Sequence, residues 1–199
     1  MDKKLILITL PEFFEGEAKI INDIFSEGLD ILHLRKPNAT ADEVRGLVEQ
    51  VDRQFHDKIV LHSHYHLTET LGLRGVHLGV HRQLDDKKIN AQLSFSCHKL
   101  DEVMAHKQSC AYVFLSPIFN SISKEGYASA FSLQTLWEAR DEGVIDDKVI
   151  ALGGITPETA RIALDIGFGG VAVLGDVWLN ENPVKRFLEY ESCGAFSLH

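Results

Sequence analysis

The sequence predicts a single compact α/β domain over residues 1–199, a (β/α)8 TIM barrel. Three observations carry that expectation. Short apolar runs alternate about eight times with longer stretches of helical period, at a spacing of about 25 residues. No proline-rich linker, low-complexity tract or charge block divides the set. Near the C-terminus two glycine turns, Leu152-Gly153-Gly154-Ile155-Thr156 and Val173-Leu174-Gly175-Asp176, each close an apolar run and lie one strand–helix unit apart. Barrels of this architecture hold phosphate in the loops after strands seven and eight, so the paired turns fit the same fold. An open doubly wound sheet is the competing architecture, reached if one strand is misread.

Strands are expected over 5–9, 31–34, 59–61, 76–78, 93–96, 112–115, 149–152 and 170–174, short apolar runs of the kind that parallel strands covered on both faces show. Helices are expected between and after them, over 15–26, 41–55, 66–71, 85–91, 100–107, 133–142, 157–166 and 183–190. The tight spacing makes the third and fourth helices short. The first apolar run superficially resembles a signal peptide, but it is brief and Glu12, Glu15 and Glu17 follow closely. In the second strand, alternation puts His33 and Arg35 on one face and Leu32 and Leu34 on the other. The sixth strand runs into the longest irregular loop, 116–127. At the seventh helix, Thr156, Pro157 and Glu158 provide a hydroxyl cap, a proline in the first turn and an early acid.

At 199 residues, 45% hydrophobic and 25% charged, the chain suits one sizeable core. A net charge of −9 without a dense Lys/Arg cluster argues against nucleic acid as a partner, so any anionic ligand must be held by local groups. Three cysteines, Cys97, Cys110 and Cys193, form no CxxC pair and fit a reducing cytoplasm, where their role is packing. No apolar run approaches the roughly 20 residues that cross a bilayer, so no membrane partner is expected. A homo-oligomer is neither required nor excluded.

Chemistry is expected where strands end at their C-termini. Gly153, Gly154 and Gly175 lack a Cβ, which lets a phosphate oxygen approach main-chain N–H groups, although a plain tight turn would use the same residues. His33 and Arg35 would point into the mouth, and a buried guanidinium there needs an anion or a carboxylate such as Asp30 or Glu69. Ser121, Ser123 and Lys124 offer two hydroxyls and an ammonium to phosphate or pyrophosphate oxygens. His62-Ser63-His64-Tyr65-His66 invites a metal reading, with His62 and His64 on one face if extended and His33, His77, His81 or His98 in range. Hydrogen-bonded imidazoles lining a polar mouth are the preferred alternative, and no residue is assigned as a metal ligand.

With HLRK, GVHLG, SFSCH, YVFLSPIFNSISK, IALGGIT and GVAVLGD in this order, the whole chain resembles the thiamine phosphate synthase family and its relative, the thiazole tautomerase. The resemblance implies a barrel that joins a pyrimidine pyrophosphate to a thiazole phosphate, expelling pyrophosphate with help from Mg²⁺ as the thiazole nitrogen captures a pyrimidine carbocation. It matches Arg35 to the arginine of the family's QxREK strand, with His33 in place of glutamine. Pro37 stands at the lysine position, leaving Lys36 as a displaced substitute. Ser96 and His98 match the GxSxH segment. Ser121, Ser123 and Lys124 stand for the threonines and lysine of the PTxTK loop that steadies departing pyrophosphate. Gly154 matches the glycine that meets the thiazole phosphate, with Gly153 beside it, and Leu174-Gly175 the last backbone cradle.

The departures fall on the metal. His62-Ser63 replaces the family's Asn-Asp, and Val80-His81-Arg82 replaces the segment ending in the second magnesium-binding aspartate. Magnesium prefers oxygen ligands, so another arrangement must neutralise pyrophosphate, and Arg82 can grip phosphate oxygens in its stead. Asp176 adds negative charge beside the cradle. Two alternatives to the synthase stay open. A tautomerase would keep the cradle and use His33 or His98 as proton shuttle, because its own loop histidine is replaced at Ser116-Pro117. A non-catalytic phosphate-ligand-binding paralogue would keep the cradle alone.

Overall fold

The computed structural model describes residues 3–79, 90–120, 131–192 and 196. Eight strands, β1 (Lys4–Ile8), β2 (Ile31–Leu34), β3 (Ile59–Leu61), β4 (Gly75–Leu78), β5 (Gln92–Cys97), β6 (Tyr112–Leu115), β7 (Val149–Leu152) and β8 (Gly170–Val173), pair in parallel in chain order. β1 also pairs with β8, through Leu5↔Val171 and Leu7↔Val173, so the sheet closes and the open-sheet alternative is overturned. Every strand lies within one residue of its expected bounds.

Helices α1 (Glu17–Ser26), α2 (Ala41–Glu49), α3 (Leu67–Leu71), α4 (Leu100–His106), α5 (Leu133–Asp141), α6 (Pro157–Ile166), α7 (Gly175–Trp178) and α8 (Pro183–Ser192) surround the barrel. The second expected helix, 41–55, is overlong. Asn22 on α1 donates to the Gln50 carbonyl and accepts from the Asp52 N–H, at 3.0 and 2.8 Å, and the chain re-enters a 3-10 turn only at Arg53–Lys58. A tertiary contact ends α2, where the hydrophobic period alone would continue it. α3 is short, as expected. Most of the expected helix 85–91 lies outside the described residues, and residues 90 and 91 are not helical. α7 was not foreseen, because a helix of four residues is too short to show a period.

Two apolar layers hold the fold. The outer one packs strands on helices and includes Leu32, Leu34, Ile21, Ile24 and Phe187, as the alternation in β2 requires. The inner one fills the barrel with Ile6, Ile8, Ile31, Val60, Tyr112, Phe114, Ile150 and Ala172. Thr156 caps α6 with a reciprocal bond pair to Thr159 and Pro157 opens its first turn, which fixes the chain leaving β7. Among the described residues no helix is long and apolar enough to cross a membrane.

Candidate active site at the barrel mouth

β2, β3 and β4 bring three imidazoles together just inside the C-terminal end of the barrel. His33 Nδ1 lies 2.8 Å from His62 Nε2, and His33 Nε2 lies 2.6 Å from the Tyr112 hydroxyl. His77 bonds Ser94 through Nδ1 at 2.8 Å and Ser96 through Nε2 at 2.7 Å. Ser94 and Tyr112 are register partners on β5 and β6, so one polar row sets His62–His33–Tyr112 beside Ser94–His77–Ser96. Its ends, His62 and Ser96, are half-buried, whereas the members between them are buried.

The buried titratable members of this row are electrically neutral. Burial, reinforced by the neighbouring His62 and His77, holds His33 well below the ordinary histidine value, and burial pushes His77 down to about 3. Burial also raises the Tyr112 phenol, which keeps its proton. His33 was expected in the mouth itself. It lies instead beneath it, fully buried, because it belongs to β2 proper, so a proton it exchanges with a mouth ligand would pass through His62.

Arg35, one step beyond β2, is exposed and pairs with no carboxylate among the described residues, neither Asp30 nor Glu69. Its backbone is pinned by Thr9: the Arg35 N–H donates to Thr9 Oγ1 at 2.9 Å, and Thr9 Oγ1 returns a bond to the Arg35 carbonyl at 3.3 Å. Lys36 requires a correction. Its ammonium donates to both Glu17 oxygens at 2.7 and 2.8 Å and to the Leu10 and Glu12 carbonyls at 3.0 and 2.8 Å. It is fully buried and ties the β1–α1 loop to β2, because alternation turns it away from the mouth. No donor remains for a substrate.

The two glycine turns occupy the same end of the fold, on adjacent strands joined through Leu152↔Ala172. Gly153 and Gly154 have φ of 97° and 63°, and a Cβ on them would meet Pro117 Cα at 2.9 Å and clash with the Asn120 carbonyl oxygen, respectively. The loop after β6 is thus docked on the turn, with the Ile118 and Phe119 N–H groups donating to the carbonyls of Leu152 and Gly153. Leu174 and Gly175 open α7, whose first N–H groups have no intrahelical acceptor. Asp176 does not leave a free negative charge there. Arg186 grips it with two bonds of 2.8 Å, and Tyr190 donates to it at 2.7 Å.

His98 bonds the Ser116 carbonyl at 3.0 Å and stands at the rim after β5. His64 has φ of 53° and bonds the Ala39 carbonyl at 2.7 Å, so the His62/His64 pairing assumed for an extended chain does not form. Arg82, Ser121, Ser123 and Lys124, together with His81, lie outside the described residues. Tyr112, Ser94 and Thr9 were missed from sequence. Ser94 shares the phase of Ser96 on β5, and Tyr112 that of Phe114 on β6, so listing the inward phase of every strand would have found both.

Magnesium does not fit what the described residues of this mouth offer. Among the described residues the one group able to hold a metal ion is His33, His62 and His77, three nitrogen donors, whereas magnesium takes oxygens.

Comparison with known proteins agrees with this architecture over its whole length. A family model described as thiamine monophosphate synthase (TMP-TENI) matches residues 5–177. A crystal structure of a thiamine phosphate pyrophosphorylase from Bacteroides thetaiotaomicron is 37% identical, with a TM-score of 0.87, covering 98% of this chain and 100% of that one. A thiamine-phosphate synthase of Anoxybacillus flavithermus is 31% identical over 69% of this chain and 66% of its own length. That of Clostridium novyi is 24% identical, covering 90% of this chain and 92% of its own. With a closed barrel, a family match over residues 5–177 and an end-to-end structural match at 37% identity, this chain belongs to the thiamine monophosphate synthase family.

Proposed function

We propose that the chain joins a hydroxymethylpyrimidine pyrophosphate to a thiazole phosphate, releasing pyrophosphate and forming thiamine phosphate. The observation that carries this reading is the match to the Bacteroides thiamine phosphate pyrophosphorylase, which covers 98% of this chain and 100% of that one. The bond from the pyrimidine methylene carbon to the pyrophosphate oxygen breaks, its electron pair leaving with pyrophosphate. The thiazole nitrogen then supplies the pair for the new C–N bond. No protein nucleophile is needed, so the task of the chain is positioning and charge stabilisation.

The roles of the described residues rest on their position, and those of Arg82, Ser121, Ser123 and Lys124 on the family resemblance. Gly153, Gly154, Leu174 and Gly175 offer backbone donors to the thiazole phosphate, next to an Asp176 already neutralised by Arg186. Arg35, exposed at the rim and pinned by Thr9, receives pyrophosphate together with Lys124, Arg82, Ser121 and Ser123. His62, Ser96 and His98 present polar groups at the mouth to the pyrimidine. A cytoplasmic location fits phosphorylated substrates of this kind.

The test is direct. Purified enzyme given both substrates and Mg²⁺ should form thiamine phosphate, and Arg35→Ala should lower kcat/KM for the pyrophosphate substrate by about 100-fold while leaving thiazole phosphate binding near wild type. Failure to form product at high enzyme concentration, with thiazole phosphate still bound, would replace the reading with that of a binding protein.

A further inference from the structure

We propose that His33, His62 and His77 form a site for one zinc-class divalent cation on the floor of the barrel mouth. One nitrogen from each ring can be chosen such that all three lie within 4.8 Å of one another. They come from β2, the end of β3 and β4, successive neighbours in a closed sheet, so their relative placement is set by backbone pairing. Imidazole sets of this kind suit zinc, cobalt, nickel and copper.

The outward nitrogens are already held, as metal-binding histidines require. His33 keeps Nε2 on the Tyr112 hydroxyl at 2.6 Å, and His77 keeps one nitrogen on the hydroxyl of Ser94 or Ser96 while the other turns to the ion. Binding needs a rearrangement, in which His77 gives up its bond to one of the two serines. Ligation at about 2.0–2.1 Å in tetrahedral geometry would set the ligand nitrogens about 3.3 Å apart. The 2.8 Å contact between His33 and His62 must therefore open, and the 24° stack of His62 on His77 must splay. His62 can give, being half-buried and just past the end of β3. The fourth position then faces the mouth, where water or a ligand oxygen completes the tetrahedron.

The donors are neutral, so the bound ion keeps its full positive charge in a chain of net charge −9. The site shares His62 with the contacts proposed for the pyrimidine, but its test needs no turnover. Full-length enzyme stripped with a chelator is titrated with Zn²⁺ by calorimetry and with Co²⁺ by visible absorption. One equivalent should bind, with the intense ligand-field bands of tetrahedral Co²⁺. His62→Gln should weaken binding at least 30-fold, with His77→Gln substituted for it if circular dichroism shows the first variant unfolded. His64→Gln/His66→Gln should bind as wild type. Absence of stoichiometric binding, retention of binding in the His62 and His77 variants, or loss of binding in the His64/His66 variant would overturn the site.

Discussion

Lys36 shows how one side chain can be read correctly as charged and wrongly as functional. Its ammonium and the Glu17 carboxylate are both buried, with Phe13 placed over the cation at 4.6 Å from the ring centre. Burial lifts the Glu17 carboxyl and Lys36 pulls it back, so the pair is kept charged by mutual contact. Lys36→Met should therefore cost about 3–5 kcal/mol by urea denaturation, since it strands Glu17. The double variant Lys36→Met/Glu17→Leu should recover most of the loss. At this scale the sequence names the ionisable groups but not their partners: Glu17 precedes Lys36 by 19 residues and meets it only because α1 packs against β2.

Among the elements, the turn after β7 is constrained both by backbone conformation and by contact. Gly153→Ala would force a left-handed φ on a residue with a Cβ and press it on Pro117, and Gly154→Ala would meet the Asn120 carbonyl. Either should lower stability by about 1–3 kcal/mol and shift the loop after β6, detectable as a lower melting temperature with weakened thiazole phosphate binding. Thr156→Ala, which removes the α6 cap but neither glycine, should cost about 1 kcal/mol, read as a lower melting temperature. At the start of α7, Arg186→Met should release the charge of Asp176 beside the second turn. Thiazole phosphate affinity should fall about 10-fold, and Asp176→Asn in the same background should restore it.

For the whole molecule, the buried imidazoles set the acid limit. His33 and His77 are held below 6.5, the ordinary value they regain on unfolding. Between about pH 6.5 and the depressed values the unfolded chain binds more protons than the folded one. Stability is therefore full above that window and declines as pH falls through it, by up to about 1.4 kcal/mol per pH unit for each histidine. With chelator present, melting temperature should drop between pH 7 and 5, and His77→Gln should flatten the slope.

The barrel was legible because its signals are local. Strand runs such as Val149–Leu152 need only be apolar and short, and Thr156-Pro157 marks a helix start wherever it stands. The end of α2 was not legible, since Asn22 lies 28 residues before Gln50 and acts only after folding. The glycine turns and Arg35 could be placed at one mouth from sequence, because in a barrel the strand direction alone puts every C-terminal end together. The fate of the histidines could not. Backbone order and chain pattern determined the closed fold and the face on which its chemistry lies; packing across the barrel decided that His33 would sit under His62, that His64 would turn away to Ala39, and that Lys36 would answer Glu17 rather than a ligand. Such pairings depend on distances between residues remote in sequence, which only closure of the barrel sets.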